Sequence, residues 1–160
     1  MIAVLQRVRS ASVVADGSPA GECAEGILIL LGVGKGDAEE DALLLAEKIA
    51  KCRIFCDEND KMNLSVQDVG GEALVVSNFT LLANYAHGNR PDYFNAAPPA
   101  EANRLYEYFV KLLSDRVKHV GCGVFGADMQ ISMVADGPIT IVMDSAVLAK
   151  KQKQGLLYDT

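Results

Sequence analysis

The stretch MVADGPITIVMD, residues 133–144, reads as the end of one apolar strand, a short turn and the start of another strand. Pro138 stands immediately before the residues of the second strand. Because proline has no amide hydrogen and fixes its own φ, it occurs at strand starts, at edges or at bulges. The sequence therefore predicts that the chain leaves the sheet ladder around Gly137 and Pro138.

Strand patterns continue on the N-terminal side of this stretch. The first third of the chain carries three runs rich in β-branched residues: IAVLQRV (2–8), ASVVAD (11–16) and GILILLGVG (26–34). Turn residues at Asp16-Gly17, Gly21 and Gly26 punctuate this region. Such punctuation predicts an antiparallel start. A further apolar run, EALVVSNFTLLA (72–83), contains the polar residues Ser77, Asn78 and Thr80.

Two segments have helical periodicity instead. The first is predicted over about 38–51, with Asp37 as its cap and Glu40 three residues on; its apolar positions are Ala42, Leu45, Ala46 and Ile49. Pro98 and Pro99 open the second, predicted over about 99–117. Its core-facing stripe is predicted to consist of Leu105, Tyr108, Phe109, Leu112 and Leu113.

Composition narrows the class of protein. The 160 residues are half hydrophobic and 22% charged, which favours one folded domain, and no apolar run reaches the length of a membrane span. The formal net charge is −6, whereas nucleic-acid-binding proteins usually carry a basic excess. We expect a cytosolic protein that meets any RNA partner through a local patch or at an RNA terminus. The four cysteines are expected to be reduced thiols, with no metal bound.

Common catalytic motifs do not reveal which reaction, if any, the protein carries out. The chain has two histidines, and it contains neither a G-x-S-x-G nucleophile elbow nor an H-E-x-x-H zinc motif. Two polar clusters interrupt apolar strands: Ser77-Asn78-Phe79-Thr80, and Asp136-Gly137-Pro138-Ile139-Thr140. Each cluster by itself is compatible with a strand end or a hairpin turn.

Together the two clusters resemble the signature of the D-aminoacyl-tRNA deacylase family. SNFTL (77–81) is similar to the family's SQFTL motif, and ADGPIT (135–140) is similar to its N-x-G-P-V-T motif. Further blocks occur in family order along nearly the whole chain: LQRVRSASV, LLGV, RIF, KMNLSV, GNRPDYFNAA, LYEYF and FGADMQISMV.

The resemblance implies both a fold and an activity. The implied fold is α+β: mixed, largely antiparallel sheets with two helices, packed as a layered sandwich over residues 1–144. The implied reaction is hydrolysis of the ester of D-aminoacyl-tRNA, or of glycyl-tRNA, as chiral proofreading in translation. No cofactor is implied, and the expected partners are aminoacyl-tRNA and a second copy of the chain, with no membrane and no DNA.

The resemblance also implies roles for particular residues. The main chain around Asn78, Phe79 and Thr80, shaped by Ser77, would bind the ester and its oxyanion. A cis Gly137-Pro138 turn would enter the partner subunit's site, hold the substrate ammonium on its carbonyls and exclude an L side chain. Met129 and Phe125 are candidates for the pocket wall. Thr80 as a covalent nucleophile stays an alternative, although no base stands beside it in sequence.

Two departures from the family pattern leave other functions open. Asn78 replaces the usual glutamine, and Ala135 replaces the asparagine that opens the second motif. A tRNA- or protein-binding dimer that keeps the fold without the chemistry is one alternative, and an unrelated small-molecule esterase is another. Residues 145–160, with clustered lysines, are predicted to form a C-terminal extension with the composition of a short helix.

Overall fold

The structure is a computed structural model that describes residues 1–155, with side chains described through residue 150. Its strands are β1 (Ile2–Ala15), β2 (Ser18–Cys23), β3 (Gly26–Gly32), β4 (Phe55–Cys56), β5 (Met62–Leu64), β6 (Glu72–Ser77), β7 (Val120–Cys122) and β8 (Met129–Asp144). Its helices are α1 (Glu39–Ala50), α2 (Pro99–Ser114) and α3 (Ser145–Gly155), and a short 3-10 helix covers Phe79–Leu82. Residues 156–160 of the predicted extension lie outside the described residues.

The main sheet is organised around β1. One side of β1 pairs antiparallel with β8, from Ile2 opposite Asp144 to Ala15 opposite Met129. The other side of β1 pairs first with β3 and then, over Ala11–Ala15, with β2. The sheet continues from β3 through β6 to β7 by parallel pairing. β1 therefore belongs to two layers, one extending toward β6 and one extending toward β2.

Two apolar cores fill the spaces between these layers. The larger core lies between the sheet and helices α1 and α2, and it includes fully buried Leu5, Ile29, Leu45, Leu105 and Phe109. The smaller core lies inside the folded sheet, where Val13, Cys23, Leu74 and Val76 meet. The predicted α+β class and its layered arrangement are confirmed. Helix α3 lies in the segment that was predicted to form a C-terminal extension with the composition of a short helix.

The prediction of a turn between two strands at residues 133–144 is wrong. The chain runs through this stretch as one strand, β8, whose register against β1 jumps from Val8–Ala135 to Gln6–Thr140. Four residues of β8, 136–139, thus stand opposite the single residue Arg7. β1 is long enough to pair with both halves of the stretch, so the extra residues form a bulge rather than a hairpin.

Helix α1 begins differently from the prediction. Its N-cap is Ala38, whose amide donates to the Asp41 carboxylate at 2.9 Å. The Asp37 carboxylate instead accepts from the Gly34 amide at 2.6 Å and pairs with the Met1 amine at 2.8 Å. Asp37 therefore joins the β3–α1 turn to β1 and does not cap the helix.

The core-facing stripe of α2 is also shifted from the prediction. Tyr106 is buried, whereas Tyr108 and Leu112 are only partly buried. The stripe is continued at the start of the helix by buried Ala102. The rotation matters because it points Tyr106 toward the end of β6.

Two kinds of feature are absent from the part of the chain that the structure describes. No helix there is long and apolar enough to cross a membrane. No group of three or more histidine, cysteine, aspartate or glutamate side chains there is arranged to hold a metal ion.

The contact between β2 and β7 gives a stability prediction. A side chain added at Gly121 would collide with the main chain of Glu22, so the two strands approach more closely than any other residue permits. We expect Gly121→Ala to lower the free energy of unfolding by about 1–3 kcal/mol, measured by urea denaturation. Gly17→Asn is the control, because Gly17 has open surroundings and a φ of +80° that asparagine tolerates. Equal effects of the two substitutions would contradict the close approach.

Candidate active site

A cavity of about 660 Å³ opens where the ends of β3 and β6 meet the loop before α2. Its volume is typical of a site for a small molecule or a nucleoside. Its lining is mainly apolar, and comprises Leu31, Val33, Lys35, Ser77, Asn78, Phe79, Tyr93, Phe94, Ala96, Ala97, Pro98, Pro99, Ala102, Tyr106, Phe125, Gly126, Ala127 and Met129. The structure thus brings together five predicted residues from two separate segments of the chain: Ser77, Asn78, Phe79, Phe125 and Met129.

Asn78 turns the chain from β6 into the 3-10 helix. Its own amide donates to the Leu31 carbonyl at 2.8 Å, which extends the parallel ladder by one residue. Its side-chain oxygen accepts from the Thr80 amide at 3.2 Å and from the Thr80 hydroxyl. The amide and the hydroxyl of Thr80 are therefore both engaged by this cap.

The amide of Phe79 remains free at the cavity. As the first residue of the 3-10 helix it has no partner within that helix, and no described residue accepts a hydrogen bond from it. The Phe79 ring is 58% exposed and meets Tyr93 edge to face, with ring centroids 5.0 Å apart. A main-chain donor without a partner among the described residues therefore belongs to one member of an aromatic pair.

Tyr106 lies in the wall of the cavity beside Phe125. Its hydroxyl donates to the Val75 carbonyl at 2.9 Å, and its ring lies 6.2 Å from that of Phe125. Burial raises the pKa of Tyr106, with a smaller contribution from Cys122 beside it. The phenol is therefore protonated at neutral pH and acts as a fixed donor that positions the wall.

None of the described residues that line the cavity supplies a general base. The lining contains no histidine, no carboxylate and no cysteine, and its only cationic side chain is Lys35. The Thr80 hydroxyl donates to an amide oxygen, which does not take up its proton. The site therefore offers electrostatic stabilisation and positioning, not proton abstraction by a side chain.

Gly137 and Pro138 lie apart from this cavity. Their peptide bond is cis, and both residues are exposed in the bulge of β8. The sheet register puts them opposite Arg7, whereas Ser77 is aligned through Leu31 with Ala3. Measured along the sheet, three strand spacings and four residues separate the two places, roughly 20 Å, and neither Gly137 nor Pro138 lines the cavity. One chain does not bring these two predicted halves of the site together.

The bulge of β8 is held from beneath by two arginines. Arg7 donates from its Nε to the Asp136 carbonyl at 3.3 Å and pairs with the Asp136 carboxylate at 3.1 Å. The same guanidinium donates to the Ile54 carbonyl at 2.7 Å. Arg9 contacts the Asp136 carboxylate at 3.3 Å. Asp136, rather than the residue at position 135, is thus the polar anchor of the bulge.

Sequence reasoning missed several parts of this site. Lys35, Tyr93, Phe94 and Tyr106 reach the cavity from segments that were interpreted as a tight turn, a loop and a core stripe. The aromatic pair in GNRPDYFNAA was a usable signal, since exposed rings in a loop often mark a binding surface. Arg7 gave no signal, because its contact with Asp136 depends on the β1–β8 register.

Comparison with known proteins gives consistent matches over the folded part of the chain. The family model described as D-Tyr-tRNA(Tyr) deacylase matches residues 4–144. The D-aminoacyl-tRNA deacylase of Pelobacter propionicus is 54% identical over 144 residues, which cover 90% of this chain and 99% of that protein. The D-aminoacyl-tRNA deacylase of Caldicellulosiruptor bescii is 50% identical over 145 residues, which cover 91% of this chain and 97% of that protein.

Two solved structures share the fold. A protein described as the c-Myc DNA Unwinding Element Binding Protein superposes with a TM-score of 0.84 at 37% identity, over 90% of this chain and 98% of its own. A probable eukaryotic D-amino acid tRNA deacylase superposes with a TM-score of 0.75 at 13% identity, over 89% of this chain and 98% of its own. The second likeness concerns the fold alone.

The arginine anchor of the bulge leads to a prediction about stability. The Arg7 side chain is 11% exposed and satisfies two carbonyls, whereas the Arg9 side chain is 61% exposed. We expect Arg7→Ala to lower the free energy of unfolding by about 1–3 kcal/mol, because it leaves partly buried acceptors unpaired. Arg9→Ala should change it by less than about 1 kcal/mol. Urea denaturation of both variants measures the difference, and a larger effect at Arg9 would contradict this account of the anchor.

Proposed function

The chain belongs to the D-Tyr-tRNA(Tyr) deacylase family, and we propose that it hydrolyses the ester bond of D-aminoacyl-tRNA, releasing the free D-amino acid and intact tRNA. Its curated relatives are named D-aminoacyl-tRNA deacylases, hydrolases of this class. The observation that carries the proposal is the free amide of Phe79 at the mouth of an apolar cavity. Such a donor suits the carbonyl oxygen of an ester that is about to become an oxyanion.

The proposed mechanism needs little from the side chains. Water attacks the ester carbonyl, and the oxyanion of the tetrahedral intermediate accepts a hydrogen bond from the Phe79 amide. Collapse breaks the bond between the carbonyl carbon and the ribose oxygen, and the amino acid leaves as its carboxylate. Of the two protons of the attacking water, one ends on the ribose oxygen and the other is released to solvent. An aminoacyl ester is more reactive than an amide, so positioning and oxyanion stabilisation suffice. The neighbouring hydroxyl of the terminal ribose assists in place of a side-chain base.

We assign the rejection of L-amino acids to Gly137 and Pro138 of a second subunit. The roughly 20 Å between Pro138 and Ser77 of one chain supports an intermolecular arrangement. The exposed outer strand β8 also carries Met133, Val134 and Val142, which a second copy would cover. Carbonyls of the bulge would accept from the substrate ammonium, and the bulge would fill the space that an L side chain requires.

This kind of selection sets the range of substrates. A gate that works by collision with an L side chain has nothing to collide with in glycine. Glycyl-tRNA, including glycyl-tRNA(Ala), is therefore a proposed substrate together with the D-aminoacyl-tRNAs. We place the activity in the cytoplasm, where translation consumes aminoacyl-tRNA.

A second candidate function is binding without catalysis. It is favoured by the departures at Asn78 and Ala135, and by the 37% identity to a protein described as binding a DNA element. The contacts of the site argue against it. The Asn78 side chain caps Thr80 within its own loop, and Asp136 supplies the anchor of the bulge. Neither departure removes the main-chain donor at Phe79.

Paired deacylation of D-Tyr-tRNA and L-Tyr-tRNA tests the proposed function. We expect rapid release of tyrosine from the D form alone, because the site stabilises the ester oxyanion and excludes the L side chain. Equal release from both forms would indicate an unselective esterase. Binding of tRNA without release from either form would indicate the non-catalytic alternative.

Substitutions at Phe79 and Thr80 extend the same assay to the mechanism. Phe79→Pro removes the free amide, and the site tolerates proline because Asn78 is extended at φ −147° and ψ 92° and position 79 opens the helix. We expect a loss of about 10²–10³-fold in the rate constant of deacylation. Phe79→Ala, which keeps the amide, is the matched control, and Thr80→Ala should retain measurable activity. Complete loss in a folded Thr80→Ala protein that still binds tRNA would instead identify a hydroxyl nucleophile.

Mixing two defective variants tests the shared site. A Phe79→Pro chain lacks the donor, and a Pro138→Ala chain should release tyrosine from L-Tyr-tRNA because its gate is altered. In a mixed dimer, the intact donor of the Pro138→Ala chain faces the intact gate of the Phe79→Pro chain. Re-associated mixtures should therefore hydrolyse D-Tyr-tRNA with a higher D-over-L ratio than Pro138→Ala alone. A ratio that does not rise, with mixed dimers demonstrated by mass spectrometry, would contradict the exchange.

A further inference from the structure

Beyond the cavity, the loop between the 3-10 helix and α2 presents aromatic rings to solvent. Tyr85 is 82% exposed, Phe94 is 77% exposed and Tyr93 is 37% exposed. We call these three residues the aromatic rim. Large rings with so much exposed surface, clustered in one loop, are a mark of a binding surface.

Main-chain contacts fix the rim beside the cavity. Asn84 and Asp92 exchange amide-to-carbonyl hydrogen bonds of 2.8 and 2.9 Å, which close the loop into a hairpin that contains Tyr85. The Lys35 amide donates to the Asn95 carbonyl at 2.9 Å, which joins the loop to the end of β3. Tyr93 and Phe94 also line the cavity. Two members of the rim are therefore part of the cavity wall, and the hairpin that holds the third adjoins them through the Asn84–Asp92 pair.

Two cationic side chains belong to the segments that form the rim and join it to β3, on a chain whose net charge is −6. Lys35 and Arg90 are exposed, and neither forms an ion pair with a carboxylate of the described residues. The carboxylate of Asp92, the acidic residue of this loop, accepts from the Asn84 side chain at 3.0 Å and from the Phe94 amide at 3.2 Å. The two cations are thus available to an anionic partner.

We propose that the aromatic rim, with Lys35 and Arg90, binds the single-stranded nucleotides that precede the terminal nucleoside of the substrate RNA. The inference rests on the proposed function, in which the terminal nucleoside with its ester occupies the cavity. Bases of the preceding nucleotides stack on Tyr85 and Phe94, and their phosphates meet the two cations. Protein surfaces that bind single-stranded nucleic acid usually combine exposed aromatic rings with basic side chains. For these two cations, the closely spaced charges of a phosphate backbone are a better partner than a second copy of this acidic chain.

Two substrates of different length distinguish the rim from the reacting centre. D-Tyr-tRNA carries the whole acceptor end, whereas the 3′-D-tyrosyl ester of adenosine carries only the terminal nucleoside. We expect Tyr85→Ala to lower the ratio of kcat/KM on D-Tyr-tRNA to kcat/KM on the adenosine ester by about 10-fold. Arg90→Gln should lower the same ratio and should reduce the salt dependence of tRNA binding by about one unit of slope.

Matched controls come from the β4–β5 hairpin on another part of the surface. Met62 is 57% exposed and Lys61 is also exposed. Met62→Ala and Lys61→Gln should leave the ratio and the salt dependence at their wild-type values. A control that lowers the ratio as much as the rim variants would overturn the proposal, since any surface change would then have the effect.

Other outcomes separate this inference from the proposed function. Wild-type protein that hydrolyses neither substrate would refute the proposed function. Wild-type protein that hydrolyses both, with Tyr85→Ala keeping the wild-type ratio, would refute the rim alone. If Tyr85→Ala keeps that ratio and shifts the monomer–dimer equilibrium in sedimentation, the rim is an interface between copies of the chain and the proposal is overturned.

Discussion

The antiparallel ladder between β1 and β8 is the constraint on which the rest of the structure depends. β1 pairs with β8 along its whole length and with β3 and β2 on its other side, so both layers share this strand. Four residues of β8 stand opposite Arg7 alone, so Gly137 and Pro138 bulge out of the ladder. Arg7 anchors this bulge through its ion pair with Asp136. The same register sets the distance between this bulge and the cavity at the end of β6. The fold thus builds two chemically different places on one sheet and keeps them apart.

Local sequence signals predicted the elements better than the contacts between them. The apolar residues Ala42, Leu45, Ala46 and Ile49 of α1 are buried as their spacing indicated, because helical periodicity is a local property. Asp37 was misassigned as a cap because its partners, Gly34 and the Met1 amine, come from the preceding turn and from the residue before β1. The stretch 133–144 was misread as a turn because its continuity depends on the length of β1, which lies at the other end of the chain.

The candidate site shows the same division. Motif resemblance identified residues 77–80, but not which of their groups are free. That depends on the Asn78 side chain, which engages the amide and hydroxyl of Thr80, whereas the Phe79 amide has no partner among the described residues. The aromatic and cationic neighbours were not predicted, because Lys35 and Tyr106 reach the cavity only through the packing of α2 and the β3–α1 turn. The identity of each residue is read directly from the sequence. Whether a main-chain group is free to bind a substrate depends on the hydrogen bonds of the folded loop.

The proposed oxyanion donor is a main-chain amide, and this has a consequence for how the site varies through evolution. Every residue except proline supplies an amide hydrogen, so nearly every missense change at codon 79 keeps the donor. What selection must preserve is the dihedral path from β6 into the 3-10 helix, which asparagine at position 78 maintains through its cap. Side-chain substitutions in residues 77–80 are therefore a poor guide to loss of activity. The backbone geometry of this segment is the feature that relatives must share.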